Sequence, residues 1–239
     1  MIEKHLAKLR ARDDISAEEE VAIRDSVADI RDVPADRRIV RANEVVDVCT
    51  ILVSGIACRH KDLRDGSRQI TELNVAGDFT DLHSFTLKRL DHDVLALTDC
   101  RFAVVPHTRM QAITEAFPHL TRVYWFSTNL DAAIHREWEL SLGRRTALAR
   151  VAHLFCEMYV RLGLVGLAED GRYDLPITQA DIAECLGLTS VHVNRTLREL
   201  RDRGLVEFRG GKVRIDDLKG LEAAAEFDPL YLYLEKRPR

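Results

Sequence analysis

The sequence predicts an α+β protein: a helical N-terminus leading into a small β-roll, then one long helix, then a C-terminal pair of helices closed by a β-hairpin. Three observations carry this. Short apolar runs recur between turn residues from position 38 to position 105. An amphipathic stretch follows the breaks at Pro106 and Pro118. Two capped helical segments then precede an alternating segment that turns on Gly210-Gly211. At 239 residues the chain can hold one large domain or two smaller ones. With 46% hydrophobic and 31% charged residues but only 12 Gly and 6 Pro, it has a globular composition, which excludes collagen-like and disordered chains.

Residues 3–31 are charged, with apolar positions at Leu6, Leu9, Val21, Ile23, Val27 and Ile30. Within them Ser16-Ala17-Glu18-Glu19 is a capping box, in which serine and glutamate satisfy each other's backbone N–H groups and start a second helix. Pro34 closes the segment. The runs 45–48, 50–53, 70–73, 94–97 and 102–105, with Asp65-Gly66 as a turn, are spaced like the strands of a β-roll or barrel. Residues 108–117 read as a helix that Pro118 interrupts, since proline has no N–H for the preceding turn. From Leu120 to Gly143 apolar residues recur near heptad spacing. This helix is either a seam between two chains, with Leu120, Tyr124, Leu130 and Ile134 at the dimer interface, or an ordinary core helix. A mostly apolar helix over 146–162 and a loop through Gly163, Gly166 and Gly171 lead to the last module.

Residues 177–215 carry the functional signal. Thr178 supplies an N-cap hydroxyl with Asp181 three residues on, and Gly187 ends that helix because glycine tolerates the left-handed conformation there. Thr189 caps a second helix, with Val193, Leu197 and Leu200 on its inner face. Ala183 is small where two helices cross, and Ile182, Leu186 and Leu188 share the core. This is helix-turn-helix spacing, and the hairpin 205–215 is the wing of a winged helix-turn-helix.

In such motifs the first turns of the second helix enter the DNA major groove. Ser190, Val191, His192, Asn194 and Arg195 are the candidates for that surface, with Thr189 at its cap. Arg195 matches guanine O6 and N7, Asn194 or His192 can donate to base or phosphate acceptors, and Val191 offers only apolar contact, for instance to a thymine methyl. Thr178 and Gln179 in the first helix, and Arg209 and Lys212 in the wing, suit backbone phosphates. Arg198, Arg201 and Arg203 either extend this surface or form a solvated helix face.

The formal net charge of -4, from 35 Lys+Arg against 39 Asp+Glu, argues against a nucleic-acid partner only if it is evenly spread. It is not. Residues 144–214 hold 12 basic against 9 acidic side chains, a balance of +3 that leaves the remainder at −7. Residues 195–214 alone hold 7 against 3, which suits DNA phosphates. The five cysteines, an odd number without a C-x-x-C pair, suggest neither a disulfide framework nor a zinc finger. Without a leader or an 18-residue apolar run, the expected location is the cytoplasm, with no membrane partner. No GxSxG, HExxH or P-loop pattern is present, and no enzyme activity is expected.

The order of parts resembles the Crp/Fnr superfamily of bacterial transcription regulators over nearly the whole chain. The likeness is strongest over 177–215 and next over Leu73-Asn74-Val75-Ala76-Gly77-Asp78-Phe79, which is similar to that family's sensor-domain turn. The resemblance implies a cyclic-nucleotide-binding-like β-roll in a sensor domain over 1–117, a dimerisation helix over 118–142, a DNA-binding domain over 143–220 and a tail over 221–239. It further implies a sequence-specific regulator that binds double-stranded DNA at an inverted repeat as a homodimer, with RNA polymerase as a further partner. Arg195 fits the family's arginine, but Val191 stands where a glutamate is common, which removes an acceptor for cytosine N4.

The effector pocket would comprise Gly77, Asp78, Phe79 and Arg89. Cyclic-AMP-binding members carry Arg-Ser or Arg-Thr where Leu90-Asp91 stands here, and an aspartate repels phosphate. Arg89 could substitute through a one-residue shift. The absence of cysteine before Cys49 argues against a 4Fe–4S cluster. No cofactor is assigned: His83 with Asp91, His92 and Asp93 leaves haem or another metal open, although their spacing matches no metal template. The expected signal is therefore unidentified and other than cyclic AMP, the alternative being a cyclic-nucleotide- or haem/metal-responsive sensor of the same family.

Overall fold

The computed structural model describes residues 1–239, which divide into two units. The first comprises Met1–Lys61, Leu73–Ala132 and Tyr233–Arg239. It opens with α1 (Glu3–Arg10) and α2 (Ala17–Ser26). The capping box forms: the Ser16 hydroxyl accepts from the Glu19 N–H at 3.2 Å and the Glu19 carboxylate accepts from the Ser16 N–H at 2.9 Å. Along the chain there follow β1 (Asp29–Val33), β2 (Arg38–Val40), β3 (Val48–Ser54), β4 (Ala57–Asp62), β5 (Arg68–Asn74), α3 (Ser84–Leu87), β6 (Asp93–Ala96), β7 (Cys100–Pro106), α4 (His107–Ala116) and the start of α5 (Pro118–Arg144), with most of β5 falling in the segment Asp62–Glu72 that is grouped with the second unit.

The strands form two sheets, in the orders β1-β7-β3 and β2-β6-β4-β5. In the first, β7 is central, with Val104 facing Asp29 on one side and Thr50 on the other. Cys49, Ile51, Ala103 and Val105 of this sheet pack with Leu6, Ile23, Met110, Leu120, Val123 and Tyr124 from the surrounding helices. The β-roll expectation holds, with corrections. The run 45–48 is a strand only from Val48; Val45 makes one isolated bridge to Arg89. Strands β1, β2 and β4 lie where no strand was expected. The first is a charged edge strand, and β4 buries Arg59 and His60, so apolar runs could not mark it.

The second unit comprises Asp62–Glu72 and Ala133–Leu232. It contains the end of α5, then α6 (Ala147–Gly163), β8 (Ala168–Glu169), β9 (Arg172–Asp174), α7 (Gln179–Leu186), α8 (Ser190–Asp202), β10 (Val206–Arg209), β11 (Lys212–Ile215), α9 (Leu218–Ala225) and a 3-10 turn at Pro229–Leu232. The hairpin of β10 and β11 is extended by β9 and β8 into a four-stranded sheet, so the expected loop through Gly171 is partly a strand pair. Helix α9 crosses the boundary placed at 220, because Leu221 and Ala225 are buried and the helix packs on α6.

The aromatic tail is anchored on α6. Glu157, fully buried, accepts from Trp138 Nε1 at 2.9 Å, Arg161 at 2.9 Å and the Tyr231 hydroxyl at 2.8 Å. A buried carboxylate with three donors is compensated for its lost hydration. Phe227 and Tyr231 also flank the His153 ring, and burial, with Arg145 nearby, pushes that imidazole down to about 4.

Candidate nucleic-acid interface

The geometry of α7 and α8 begins with their caps. Thr178 Oγ1 accepts from the Asp181 N–H at 3.1 Å while Asp181 accepts from the Thr178 N–H at 2.7 Å, a closed capping box. Gly187 ends α7 at φ 59°, in the left-handed region where a side chain is strained. Thr189 Oγ1 then accepts from the His192 N–H at 3.2 Å and starts α8. These constraints fix the phase of α8. Val193, Thr196, Leu197 and Leu200 turn inward, while Ser190, Val191, His192, Asn194, Arg195 and Arg198 form one exposed face. Val191 is 78% exposed.

One contact was not legible in the sequence. Asn194 Nδ2 donates to Gln179 Oε1 at 3.2 Å, joining the exposed face of α8 to the first residue of α7. Thr178 is exposed and Gln179 half-buried beside them. In the wing, Arg209 pairs in register with Lys212 across a turn whose glycines have φ 58° and 73°. A side chain at Gly211 would place its Cβ 2.9 Å from the Pro176 Cα, so backbone approach as well as turn geometry requires glycine there. Between α8 and the wing lies a cleft of about 290 Å³ lined by Gln179, Asn194, Leu197, Arg198, Arg201 and Arg209, among others.

The arginines divide into two groups. Arg203 pairs with Glu199, and Arg201 with Asp202 at 3.3 Å, so part of their charge is answered within the chain. Arg195, Arg198 and Arg209 have no carboxylate partner and remain open to an anion.

The residues of the expected dimer seam lie inward in the single chain. Leu120, Tyr124 and Ile134 are buried within the single chain, at 0%, 5% and 3% exposure, and Leu130 is half-buried. In the first unit, Leu120 and Tyr124 pack with Ile2, Leu6 and Phe79. The heptad-like apolar face therefore serves the chain's own core. Its outward stripe is Arg122, Trp125, Asn129, Arg136 and Leu140, with Trp125 69% exposed.

Two parts of the expected effector pocket, the Gly77–Phe79 turn and Arg89, have partners within the chain. Helix α1 covers the Gly77–Phe79 turn. His5 Nδ1 donates to the Gly77 carbonyl at 2.9 Å, Lys8 pairs with Asp78, and the His5 ring stands edge-on to Phe79 at 4.9 Å. A Cβ on Gly77, at φ 94°, would lie 2.7 Å from the Lys4 carbonyl oxygen. Arg89 is exposed elsewhere, donating to the Asn43 carbonyl at 3.0 Å. The buried arginine of the roll is instead Arg59, which donates to the Thr80 carbonyl at 2.7 Å and pairs with Asp131 of α5 at 3.0 Å.

All five cysteines are free and buried, and burial pushes the Cys49 and Cys156 thiols up to about 12. His83 and His92 come together, with Nε2 atoms 3.3 Å apart, while Asp93 turns away to the Ala42 N–H at 2.7 Å. No helix is long and apolar enough to cross a membrane.

Comparison with known proteins agrees with this architecture. Residues 149–224 match the Crp-like helix-turn-helix domain family and residues 30–117 the cyclic nucleotide-binding domain family. The transcriptional activatory protein AadR of Rhodopseudomonas palustris is 32% identical over 185 residues, 77% of this chain and 75% of that protein. The transcriptional activator protein FnrL of Cereibacter sphaeroides is 29% identical over 197 residues, 80% and 78% of the two chains. Among solved structures, FixK2 from Bradyrhizobium japonicum superposes with a TM-score of 0.76 at 27% identity, covering 83% of this chain and 97% of its own. The chain belongs to the Crp/Fnr superfamily, as a DNA-binding transcription regulator and not an enzyme.

Proposed function

We propose that this chain acts in the cytoplasm as a homodimer that reads an inverted-repeat operator through α8, activates transcription through contact with RNA polymerase, and answers a signal other than cyclic AMP. The observation that carries the reading is the exposed face of α8, where Val191, His192, Asn194 and Arg195 stand together beside the unpaired Arg198 and Arg209. Arginine offers a bidentate match to guanine, and the flanking arginines suit phosphates. Two such helices related by a two-fold axis meet successive major grooves one helical turn apart. Activation is suggested by the relatives AadR and FnrL, each named an activator. The cover of α1 over Gly77–Phe79 favours a signal other than a cyclic nucleotide in that turn.

Selection from a random duplex library, followed by anisotropy titration, tests this. Arg195→Ala is expected to weaken binding to the selected site by about 10- to 100-fold, the value of one bidentate base contact, and to affect random duplex far less. Equal weakening on both would remove base reading by Arg195. A selected site without two-fold symmetry would remove the inverted repeat.

A further inference from the structure

His83 and His92, which bracket the stretch from α3 to the start of β6, lie outside the exposed face of α8, yet their arrangement is specific. His83 caps the start of α3 and His92 immediately precedes β6. Their Nε2 atoms are 3.3 Å apart and their ring centroids 5.1 Å apart, with the planes inclined at 37°. Two imidazole nitrogens bound at about 2.0–2.1 Å to one tetrahedral ion stand about 3.3–3.4 Å apart. The observed separation is that of two ligands of a single ion.

The orientation of His92 points the same way. Its Nδ1 donates to Asp91 at 2.9 Å, and the other Asp91 oxygen is held by Lys61 at 2.6 Å. An ionised carboxylate only accepts, so Nδ1 carries the proton and the Nε2 lone pair faces His83. A carboxylate behind the distal ring nitrogen is the support that metal-bound histidines use to fix tautomer and ring angle. Both rings are partly exposed, which leaves room for solvent ligands.

We infer that His83 and His92 form a two-histidine site for a divalent late first-row transition-metal ion such as Zn²⁺ or Cu²⁺, with solvent completing the coordination and Asp91 orienting His92. Imidazole is a suitable donor for these ions, and two neutral nitrogens suit them better than Mg²⁺ or Ca²⁺. The bound ion ties the start of α3 to the start of β6, closing the connection that contains Lys88 at φ 61°.

The test uses the full chain after chelator treatment. Calorimetric titration with ZnCl₂ is expected to show one ion per chain in the micromolar range. His83→Gln and His92→Gln should each abolish it, and Asp91→Asn should weaken it about 10- to 100-fold, the usual cost of losing such a support. Electron paramagnetic resonance of the wild-type protein with one equivalent of Cu²⁺ should show two equatorial imidazole nitrogens, a readout that needs no variant to fold. Absence of zinc binding below millimolar concentration, unchanged binding in the double glutamine variant, or copper bound through fewer than two nitrogens would overturn the assignment.

Discussion

Asn194 Nδ2 donates to Gln179 Oε1 at 3.2 Å, so the first residue of α7 holds a side chain on the exposed face of α8, the face proposed to read DNA. A side chain fixed in advance loses less entropy on binding than one that must be ordered at the interface. Gln179→Ala removes this restraint. The expected cost is about 1 kcal/mol, or roughly fivefold in affinity for the selected site by anisotropy, with thermal stability nearly unchanged. Undiminished affinity would mean that Asn194 needs no such support.

Val191 presents only methyl groups on the exposed face of α8, where the family resemblance implies a carboxylate. Val191→Glu restores an acceptor for cytosine N4 and is expected to move the base preference at the contacted pair toward C·G, by about 1–3 kcal/mol of discrimination. Sequencing of the duplexes selected by each protein reads this directly. An identical consensus would show that position 191 does not touch a base edge.

On α5, Leu120 and Trp125 should behave in opposite ways. Leu120 is fully buried, so Leu120→Ala is expected to lower stability by about 2–5 kcal/mol through lost contacts and a cavity. Trp125 is 69% exposed, so Trp125→Ala should change monomer stability little while shifting sedimentation toward monomer at low micromolar concentration. Dimers that resist Trp125→Ala but dissociate with Leu120→Ala at unchanged melting temperature would reverse this assignment.

Asp81 makes stability pH-dependent. It is fully buried; Oδ1 accepts from the Thr50 N–H at 2.6 Å, while Oδ2 has no partner. Burial raises its carboxyl from the ordinary 3.8 to about 7, against the opposing pull of the Thr50 hydrogen bonds. Because the folded value lies above the unfolded one, the native state holds the proton more tightly. Stability is thus highest below about 4, falls as pH rises toward about 7 and levels off above it, at up to about 1.4 kcal/mol per pH unit. Asp81→Asn keeps an acceptor for Thr50 and removes the charge. Its melting temperature, relative to the wild type, should rise between pH 4.5 and about 7 and level off above that. A constant difference would exclude Asp81 as the titrating group.

The DNA-reading module was legible in the sequence because its signals are local. Thr178, Asp181, Gly187, Thr189 and the glycine pair at 210–211 each act through backbone atoms within a few residues, and every one takes the predicted role. The contacts that failed to show are non-local. A heptad-like stripe on α5 records that one face is apolar, but not whether the surface it meets belongs to the same chain. The Gly77–Phe79 turn has a local sequence signal, yet its cover comes from residues about seventy positions earlier. Strand β4 escaped notice because it buries a charged and a polar side chain, Arg59 and His60, whose partners lie on other elements.

The contact of α1 with that turn also changes what the first ten residues are. His5 and Lys8 reach Gly77 and Asp78 on a tether, so their local concentration is fixed by the chain and far exceeds that of most free metabolites. A diffusible molecule would have to outcompete a permanently attached rival before it could touch the turn. Removing or displacing α1 therefore creates a different receptor, whereas point changes inside the roll leave the rival in place.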